Sequence, residues 1–112
     1  MDKRIKHINI VKELQNELIA YFPQNSYIEL MPIVDETRGQ FLIYSDGWEK
    51  TMRDYACFFH VEVKGDGKIH LRHDGTDLEI AQRLLDKGIS KTDIVLAFHA
   101  PYKREWSGFA VA

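Results

Sequence analysis

The alternation of apolar and polar side chains is clearest in residues 55–76, YACFFHVEVKGDGKIHLRHDGT. An apolar residue stands at every second position from Tyr55 to Val63, and the alternation resumes at Ile69 and Leu71 after a glycine-rich turn. Because such alternation is typical of strands with one buried face, the segment predicts a β-hairpin. The predicted apolar face of its first strand comprises Tyr55, Cys57, Phe59, Val61 and Val63.

The register of this hairpin follows from the rule that facing side chains share a face. A two-residue turn would set Val63 opposite His70, whereas a three-residue loop at 65–67 sets Val63 opposite Ile69. We therefore predict the three-residue loop, with a glycine in the left-handed position that such loops need. Its predicted pairs are Lys64 with Lys68, Val63 with Ile69, Glu62 with His70, Val61 with Leu71, and His60 with Arg72. By the same parity His73 falls on the apolar face, as a hydrogen-bonded histidine.

The N-terminal segment, residues 2–22, has apolar residues at three- and four-residue steps, which predicts an amphipathic helix. Asp2 can cap its start, and Pro23 is expected to end it. The predicted buried stripe comprises Ile5, Ile8, Val11, Leu14, Leu18 and Phe22. A basic patch at its beginning is interpreted as a solvated helix face rather than a phosphate contact; it comprises Lys3, Arg4, Lys6 and His7.

A first hairpin is predicted between this helix and the central hairpin. Residues 26–34 are rich in β-forming side chains, and Pro32 indicates an edge position or a strand end. A polar turn at 35–39 leads to a return strand at 40–44, and residues 46–54 are predicted to form a polar loop.

A second helix is predicted after the central hairpin. Residues 76–79, TDLE, have the pattern of a capping box, in which Thr76 and Glu79 cap the helix reciprocally. Gly88 stands where a C-terminal glycine is expected. The predicted buried stripe comprises Ile80, Ala81, Leu84 and Leu85.

The C-terminal quarter predicts short elements. Residues 90–93 indicate a cap or a single helical turn, and residues 94–98, IVLAF, a buried strand. The apolar tail at 108–112 is expected to be tied into the sheet or an interface, because a free chain end is normally polar. The sequence therefore predicts one α+β domain, residues 1–112, with an antiparallel sheet of two hairpins plus short C-terminal strands, covered by the N-terminal and second helices.

Composition narrows the functional classes. The net charge of −2 provides no general attraction to a polyanion, whereas DNA-binding domains usually have a basic excess. The single cysteine, Cys57, cannot form an intrachain disulfide and is expected to be a small buried hydrophobe. The N-terminus does not have a signal-peptide pattern, and no apolar run has membrane-spanning length, so a cytoplasmic protein is predicted.

Candidate chemistry is sparse. His60, His70 and Glu62 could hold zinc, but cross-strand pairing on a polar sheet face explains them without a metal, and no metal or cofactor is predicted. Glu62 and Lys64 match the Glu-x-Lys core of metal-dependent nucleases, with Asp46 or Asp54 as the upstream carboxylate. This nuclease hypothesis is kept as an alternative; no nucleophile motif is visible, and the prediction is a protein without catalytic activity.

Exposed aromatic residues favour a binding protein. Trp48 and Trp106 both fall in predicted polar loops, and Trp106 lies near Tyr102 and Arg104. Such residue types dominate protein–protein hot spots and also stack on single-stranded bases. The negative net charge favours a protein partner.

The chain resembles the XisI family, cyanobacterial factors named for controlling excision of the fdxN DNA element. The resemblance spans nearly the whole chain and is densest from Gly47 onward, although His70 stands where such proteins often carry an aromatic residue. Its landmarks are Gly47-Trp48, Arg53, Cys57, FFHVEVKGDGKIH, Asp74-Gly75-Thr76, Ile80-Ala81, Asp93-Ile94-Val95-Leu96, Phe98-His99, Pro101, Arg104 and the terminal Phe109-Ala110-Val111-Ala112.

The resemblance implies a controlling factor in DNA excision during heterocyst differentiation, acting with a site-specific recombinase on DNA. Its implied direct partner is a XisH-like protein, which is itself similar to endonucleases. Direct DNA binding remains an alternative, and the apolar tail is compatible with a homo-oligomer. The predicted partner-binding residues are Trp48, Arg53, Tyr102, Arg104, Trp106 and Phe109.

Overall fold

The structure, a computed structural model, describes residues 2–22 and 27–112. These residues fold around one five-stranded sheet. Its strands follow in sequence order. The elements in chain order are α1 (Lys3–Tyr21), β1 (Ile28–Asp35), β2 (Gln40–Glu49), β3 (Met52–Val63), β4 (Ile69–Asp74), α2 (Ile80–Asp86), a 3-10 turn (Lys91–Asp93), β5 (Ile94–Leu96) and α3 (Pro101–Arg104). The predicted α+β class is confirmed. Among these residues no helix is long and apolar enough to cross a membrane.

The last strand differs from the predicted antiparallel arrangement. Strands β1 to β4 form an antiparallel meander, but β5 pairs with β4 in parallel, with Ile69 opposite Ile94. The reason is the connection: the chain leaves β4, passes through α2 and returns in the same direction, as parallel neighbours require.

Helix α1 covers one face of the sheet. The Asp2 carboxylate accepts a hydrogen bond from the Arg4 amide at 3.0 Å, so the predicted cap is confirmed. The buried stripe begins at Ile8, because Ile5 is 50% exposed. The predicted stop at Pro23 and strand start at Ser26 lie outside the described residues.

The basic patch at the start of α1 is only in part the solvated face that was predicted, because three of its four side chains contact loops of the same chain. His7 is buried, with Nδ1 2.6 Å from the Gly67 carbonyl oxygen. Arg4 donates to the Glu36 carbonyl at 3.1 Å, and Lys3 lies 3.0 Å from the Asp93 carboxylate. His7 and Arg4 hold the helix against the ends of two hairpins, and Lys3 contacts the 3-10 turn. Lys6 remains exposed.

The predicted register of the central hairpin is confirmed next to its turn. Val63 pairs with Ile69, Glu62 with His70, and Val61 with Leu71. The Lys64 amide donates to the Lys68 carbonyl at 2.8 Å, and Gly67 has φ +90°, as the three-residue loop requires. The parity argument therefore holds wherever the alternation is unbroken.

Farther from the turn, a bulge at Arg72 shifts the register, so that His60 pairs with His73. The predicted pairing of His60 with Arg72 is therefore wrong, and so is the assignment of His73 to the apolar face. One extra residue on a strand moves every later side chain to the other face. His73 is exposed beside His60.

A second bulge, at Phe58, has the same effect on β3. Ile43 pairs with Phe59 and Tyr44 with Cys57, which leaves Phe58 as the extra residue. Phe59 is fully buried, and Phe58 also packs against the core. Cys57 lies instead on the face of the sheet opposite α1 and is only half-buried. The prediction that Tyr55 and Cys57 belong to the core is therefore wrong.

The predicted polar loop at 46–54 is the end of the β2–β3 hairpin. Trp48 pairs with Arg53 and Glu49 with Met52, so only residues 50–51 form the turn. Lys50 takes the left-handed backbone conformation of this turn, with φ +57°. The β2–β3 hairpin therefore extends beyond Phe59, which is the last residue of β3 that pairs with β4.

The predicted capping box does not form. Glu79 has φ +51° and makes no capping hydrogen bond, and α2 begins only at Ile80. The Asp74 carboxylate takes that role: Oδ2 accepts from the Ile80 amide at 3.2 Å, and Oδ1 accepts from the Thr76 amide at 2.9 Å and hydroxyl at 2.7 Å. The predicted C-terminal glycine, Gly88, is confirmed with φ +97°.

The C-terminal predictions hold except at the end of the predicted strand, because β5 ends at Leu96 and Phe98 is 47% exposed. The Ser90 hydroxyl accepts from the Thr92 amide at the start of the 3-10 turn, and β5 is fully buried. The apolar tail is tied to the sheet: the Ala110 amide donates to the Ile94 carbonyl at 2.8 Å, and Phe109 packs against the core.

Candidate interaction surfaces

Glu62, the candidate nuclease carboxylate, is engaged in ion pairs on the sheet. Its oxygens lie 2.7 Å from Arg72 Nη2 and 3.3 Å from Lys64 Nζ. Partial burial acts to raise the pKa of this carboxyl, but hydrogen bonds from Arg72 and Lys64 outweigh the burial, so that the pKa is lowered. Glu62 is therefore a charged group that its neighbours neutralise.

The other carboxylates of the nuclease hypothesis lie far from Glu62. Asp54 is eight residues away along β3, a separation of roughly 20–25 Å, and it accepts a hydrogen bond from the Ser45 hydroxyl at 2.6 Å. Asp46 pairs instead with Arg53. These acids do not converge on one cation position, so the geometry gives the nuclease hypothesis no support.

The histidines of the zinc hypothesis are also engaged separately. His60 Nε2 lies 2.7 Å from the Gln40 side-chain oxygen, whereas His70 pairs with Glu62 by register. His70 Nδ1 is buried and makes no hydrogen bond within the described chain. Within residues 2–22 and 27–112 no three metal-ligating side chains form a cluster.

Acidification is expected to destabilise the fold through His60 and His70. Partial burial is the main cause of the lowered pKa of both imidazoles, and the positive charge of Arg72 is the second cause. The negative charge of Glu62 acts in the opposite direction and raises both pKa values. Just below the unfolded-state pKa of about 6.5, the unfolded chain therefore binds more protons than the folded chain. The free energy of unfolding should fall as the pH is lowered from about 7.5 to about 5.5.

Denaturant titrations at several pH values test this, with the double variant His60→Gln/His70→Gln as the comparison. The variant should show a shallower pH dependence over the same interval. Equal slopes for the two proteins would contradict the assignment to these histidines.

Two of the predicted partner-binding residues, Trp48 and Arg53, form a hairpin-tip cluster together with Tyr55, which was not among the predicted residues. The Arg53 guanidinium carbon lies 5.3 Å from the Trp48 ring centroid and 4.9 Å from that of Tyr55. Trp48 is 56% exposed. The arginine is also ion-paired with Asp46, so the cluster is a pre-ordered aromatic surface with one neutralised cation.

The second group lies in and after α3. Tyr102 is 64% exposed and Trp106 is 77% exposed. Arg104, by contrast, points inward: Nε donates to the His99 carbonyl at 3.0 Å and Nη2 to the Ala97 carbonyl at 3.3 Å. Phe109 packs against the core. Arg104 and Phe109 therefore anchor this segment to the rest of the protein. Its exposed aromatic side chains are Tyr102 and Trp106, which we call the α3 cluster.

The six predicted residues thus lie in two places. The hairpin-tip cluster belongs to β2 and β3, whereas α3 follows β5, with β4 between β3 and β5. Arg53 is six residues beyond Phe59, the last β3 residue that has a partner in β4.

A further set of apolar residues, which the sequence pattern did not single out, lies on the face of the sheet opposite α1. The strand pairings place Ile33 beside Leu42 and Met31 beside Tyr44. On its other side Tyr44 lies beside Cys57. A signal was present, because both faces of β1 and β2 carry apolar residues, but the sequence does not show which face the helices cover.

A protein-family model described as XisI protein matches residues 1–111. Among solved structures, the chain is similar to a XisI-like protein from Anabaena variabilis ATCC 29413, with 33% identity, a TM-score of 0.91, and coverage of 96% of this chain and 98% of that one. It is also similar to the fdxN element excision controlling factor XisI from Anabaena variabilis ATCC 29413, with 30% identity, a TM-score of 0.85, and coverage of 99% and 100%. No curated protein matches the sequence significantly.

Proposed function

Because this chain belongs to the XisI family, we propose that it controls excision of a DNA element by binding a XisH-like, endonuclease-like protein. The name of the related excision controlling factor indicates a regulatory role rather than a catalytic one. The paired state of Glu62 and the separation of the other acids support the same distinction.

The observation that carries the protein-binding proposal is the α3 cluster. Trp106 and Tyr102 are the two most exposed aromatic side chains of the described chain. Arg104, which lies between them in the sequence, anchors this segment through hydrogen bonds to the Ala97 and His99 carbonyls. A large aromatic side chain on an ordered segment loses little conformational freedom on binding, which is the property of interface hot spots.

The hairpin-tip cluster is the second part of the proposed partner surface. Its charge is neutralised by Asp46, so it offers a partner mainly aromatic contact area. The recombinase and its DNA would then be reached indirectly, through the XisH-like protein.

Trp106→Ala is expected to weaken binding to the XisH-like protein by about 30-fold, the effect of losing one hot-spot side chain of about 2 kcal/mol. Isothermal titration calorimetry with purified proteins measures the change. Tyr21→Ala is the matched control, since Tyr21 is a comparably exposed aromatic residue on α1. Binding unchanged in Trp106→Ala and in Trp48→Ala would exclude both clusters as the partner surface.

The alternative, direct DNA binding, makes an opposite prediction. A DNA-binding factor would bind firmly at low salt and lose affinity steeply as salt rises, because phosphate contacts release counterions. Lys3 and Arg4, at the start of α1, contact loops of the same chain, which favours the protein partner. A gel-shift assay with and without the XisH-like protein separates the two.

A further inference from the structure

Strand β3 has a free edge over its first half. It pairs with β2 along nearly its whole length, but with β4 only from Phe59 onward. The last hydrogen bond on the β4 side runs from the Gly75 amide to the Phe58 carbonyl, at 2.8 Å. The chain then leaves the sheet towards α2, so residues 52–57 have a neighbouring strand on one side alone.

The hairpin register shows which backbone groups of this edge are unpaired. The two-residue turn makes Glu49 and Met52 a hydrogen-bonded pair, and such pairs alternate with non-hydrogen-bonded ones along an antiparallel ladder. The amides and carbonyls of Arg53, Tyr55 and Cys57 therefore point away from β2. Within the described residues none of these groups makes a backbone hydrogen bond to another strand or loop.

The outer edges of the sheet, by contrast, are protected against strand pairing. Edge strand β1 contains Pro32, which has no amide hydrogen to donate. At the other side, the C-terminal tail bonds to β5 through the Ala110 amide. Residues 52–57, MRDYAC, contain neither proline nor lysine, and the charge of Arg53 is neutralised by Asp46. The free edge of β3 therefore lacks the usual devices that prevent another chain from pairing with it.

A cavity of about 350 Å³ lies beside this edge. Its apolar wall includes Phe22, Leu30 and Phe58, which pack against the core. Its polar lining includes the carboxylates of Asp54 and Asp77. Within the described chain neither carboxylate has an ion pair. The cavity thus combines an apolar wall with negative charge that the protein itself does not neutralise.

The cavity continues as a groove towards the hairpin tip. A second depression, of about 420 Å³, shares Ile28 and Asp54 with the cavity and is lined by β3 from Met52 to Ala56. Glu49 adds another carboxylate to its lining. The groove therefore follows the free edge over roughly 15 Å, the length of about five extended residues.

We propose that the XisH-like partner adds an extended segment as a strand to the free edge of β3, with a lysine or arginine side chain of that segment in the cavity between Asp54 and Asp77. The inference rests on the proposed function and specifies how the partner binds. Unpaired backbone groups on a sheet edge recognise an extended chain, and pockets for alternate side chains provide selectivity. The stem of a lysine or arginine would cover the apolar wall, while its head would neutralise the carboxylates.

Charge distinguishes this occupant from a second copy of the chain. Two copies paired through this edge would bring two acidic grooves together, and like charges on neighbouring strands destabilise a sheet. A basic segment has no such repulsion. An added strand would also lie next to Tyr55 of the hairpin-tip cluster, so that the edge and the cluster become one continuous partner surface.

Amide hydrogen exchange, measured by NMR on the full chain with and without the purified XisH-like protein, tests the backbone contact. The amides of Arg53, Tyr55 and Cys57 should exchange at least about 10-fold more slowly in the complex. The amide of Val34, on edge strand β1, is the internal control and should exchange at the same rate in both samples.

A proline substitution tests the same contact by affinity. Tyr55→Pro removes the outward amide hydrogen, whereas Tyr55→Ala removes the same ring and keeps the amide. By isothermal titration calorimetry, Tyr55→Pro should bind the XisH-like protein at least about 10-fold more weakly than Tyr55→Ala. Val34→Pro, the same substitution on β1, should bind like the wild-type chain. Circular dichroism establishes that each variant is folded, and the exchange rates of the wild-type chain decide if Tyr55→Pro is not.

The double variant Asp54→Asn/Asp77→Asn tests the cation in the cavity. It should weaken binding by about 10-fold, because the amides keep the shape of the carboxylates and lose their charge. Asp86→Asn, an exposed change on α2, is the matched control and should leave the affinity unchanged. Equal affinities of the double variant and the wild-type chain would contradict a cationic side chain at this position.

The outcomes separate this inference from the proposed function. A complex in which the three β3 amides exchange as fast as in the free chain would overturn the inference alone, provided that Trp106→Ala still weakens that complex. A wild-type chain that does not bind the XisH-like protein would overturn both. Slower exchange of the same amides when the chain alone is concentrated would assign the edge to a second copy, and would overturn the inference as well.

Discussion

Phe59→Ala is expected to lower the free energy of unfolding by about 3–5 kcal/mol, the range for removing a fully buried aromatic side chain. Phe59 has no exposed surface and pairs with Ile43 in the middle of the sheet, beneath the helix layer. The cavity left by the ring would be bounded by strands on both sides, so it cannot collapse easily. Urea denaturation followed by circular dichroism, at low micromolar protein, measures the loss.

Two neighbouring substitutions make this prediction a test of the bulge at Phe58. Phe58→Ala should also destabilise, by about 1–3 kcal/mol, because Phe58 packs edge to face with Phe22 at 5.6 Å between ring centroids. Tyr55→Ala should change stability by less than about 1 kcal/mol, since that side chain is exposed on the opposite face. Comparable losses at Tyr55 and Phe59 with none at Phe58 would mean that the alternation of β3 is unbroken.

This contrast shows what the sequence could and could not predict about the sheet. Facing side chains near a tight turn determine their own register, so Val61 and Leu71 could be paired from the pattern alone. A bulge inserts a residue without any required residue type, and thus nothing in FFH or LRH reveals that Phe58 and Arg72 are the extra residues.

The β2–β3 hairpin illustrates a different reason for failure. Asp46-Gly47 has the composition of a turn, yet Gly47 lies within β2. A Cβ at Gly47 would overlap the Tyr27 carbonyl oxygen and lie 2.8 Å from the Ile28 Cα. The glycine is therefore suited to the close approach of the β1 backbone, which is a tertiary contact and not a local turn signal.

The candidate surfaces were predictable in the same limited way. Exposure of Trp48, Tyr102 and Trp106 could be expected from polar surroundings, but residue type alone does not distinguish them from Arg104, which hydrogen-bonds to its own chain. The apolar residues on the face opposite α1 could not be singled out, because their exposure depends on which side of the sheet α1 packs.

Asp74→Ala is expected to lower the free energy of unfolding by about 2–4 kcal/mol, more than a typical helix cap contributes. The Asp74 carboxylate, at the last residue of β4, accepts hydrogen bonds from the Thr76 amide, the Thr76 hydroxyl and the Ile80 amide. Alanine would leave the first amide of α2 without its acceptor and free the crossover loop that sets the direction of β5. Thermal and urea unfolding measure the loss.

Two variants distinguish this arrangement from the capping box that the sequence suggests. Asp77→Ala is the matched control, three residues away and exposed, and it should change stability by less than about 0.5 kcal/mol. Glu79→Gly should be neutral or stabilise by up to about 1 kcal/mol, because glycine adopts the observed φ of +51° without strain. In a capping box, Glu79→Gly would instead remove a reciprocal hydrogen bond and destabilise α2. A clear loss at Glu79 with none at Asp74 would thus assign the cap to the local motif and not to the end of β4.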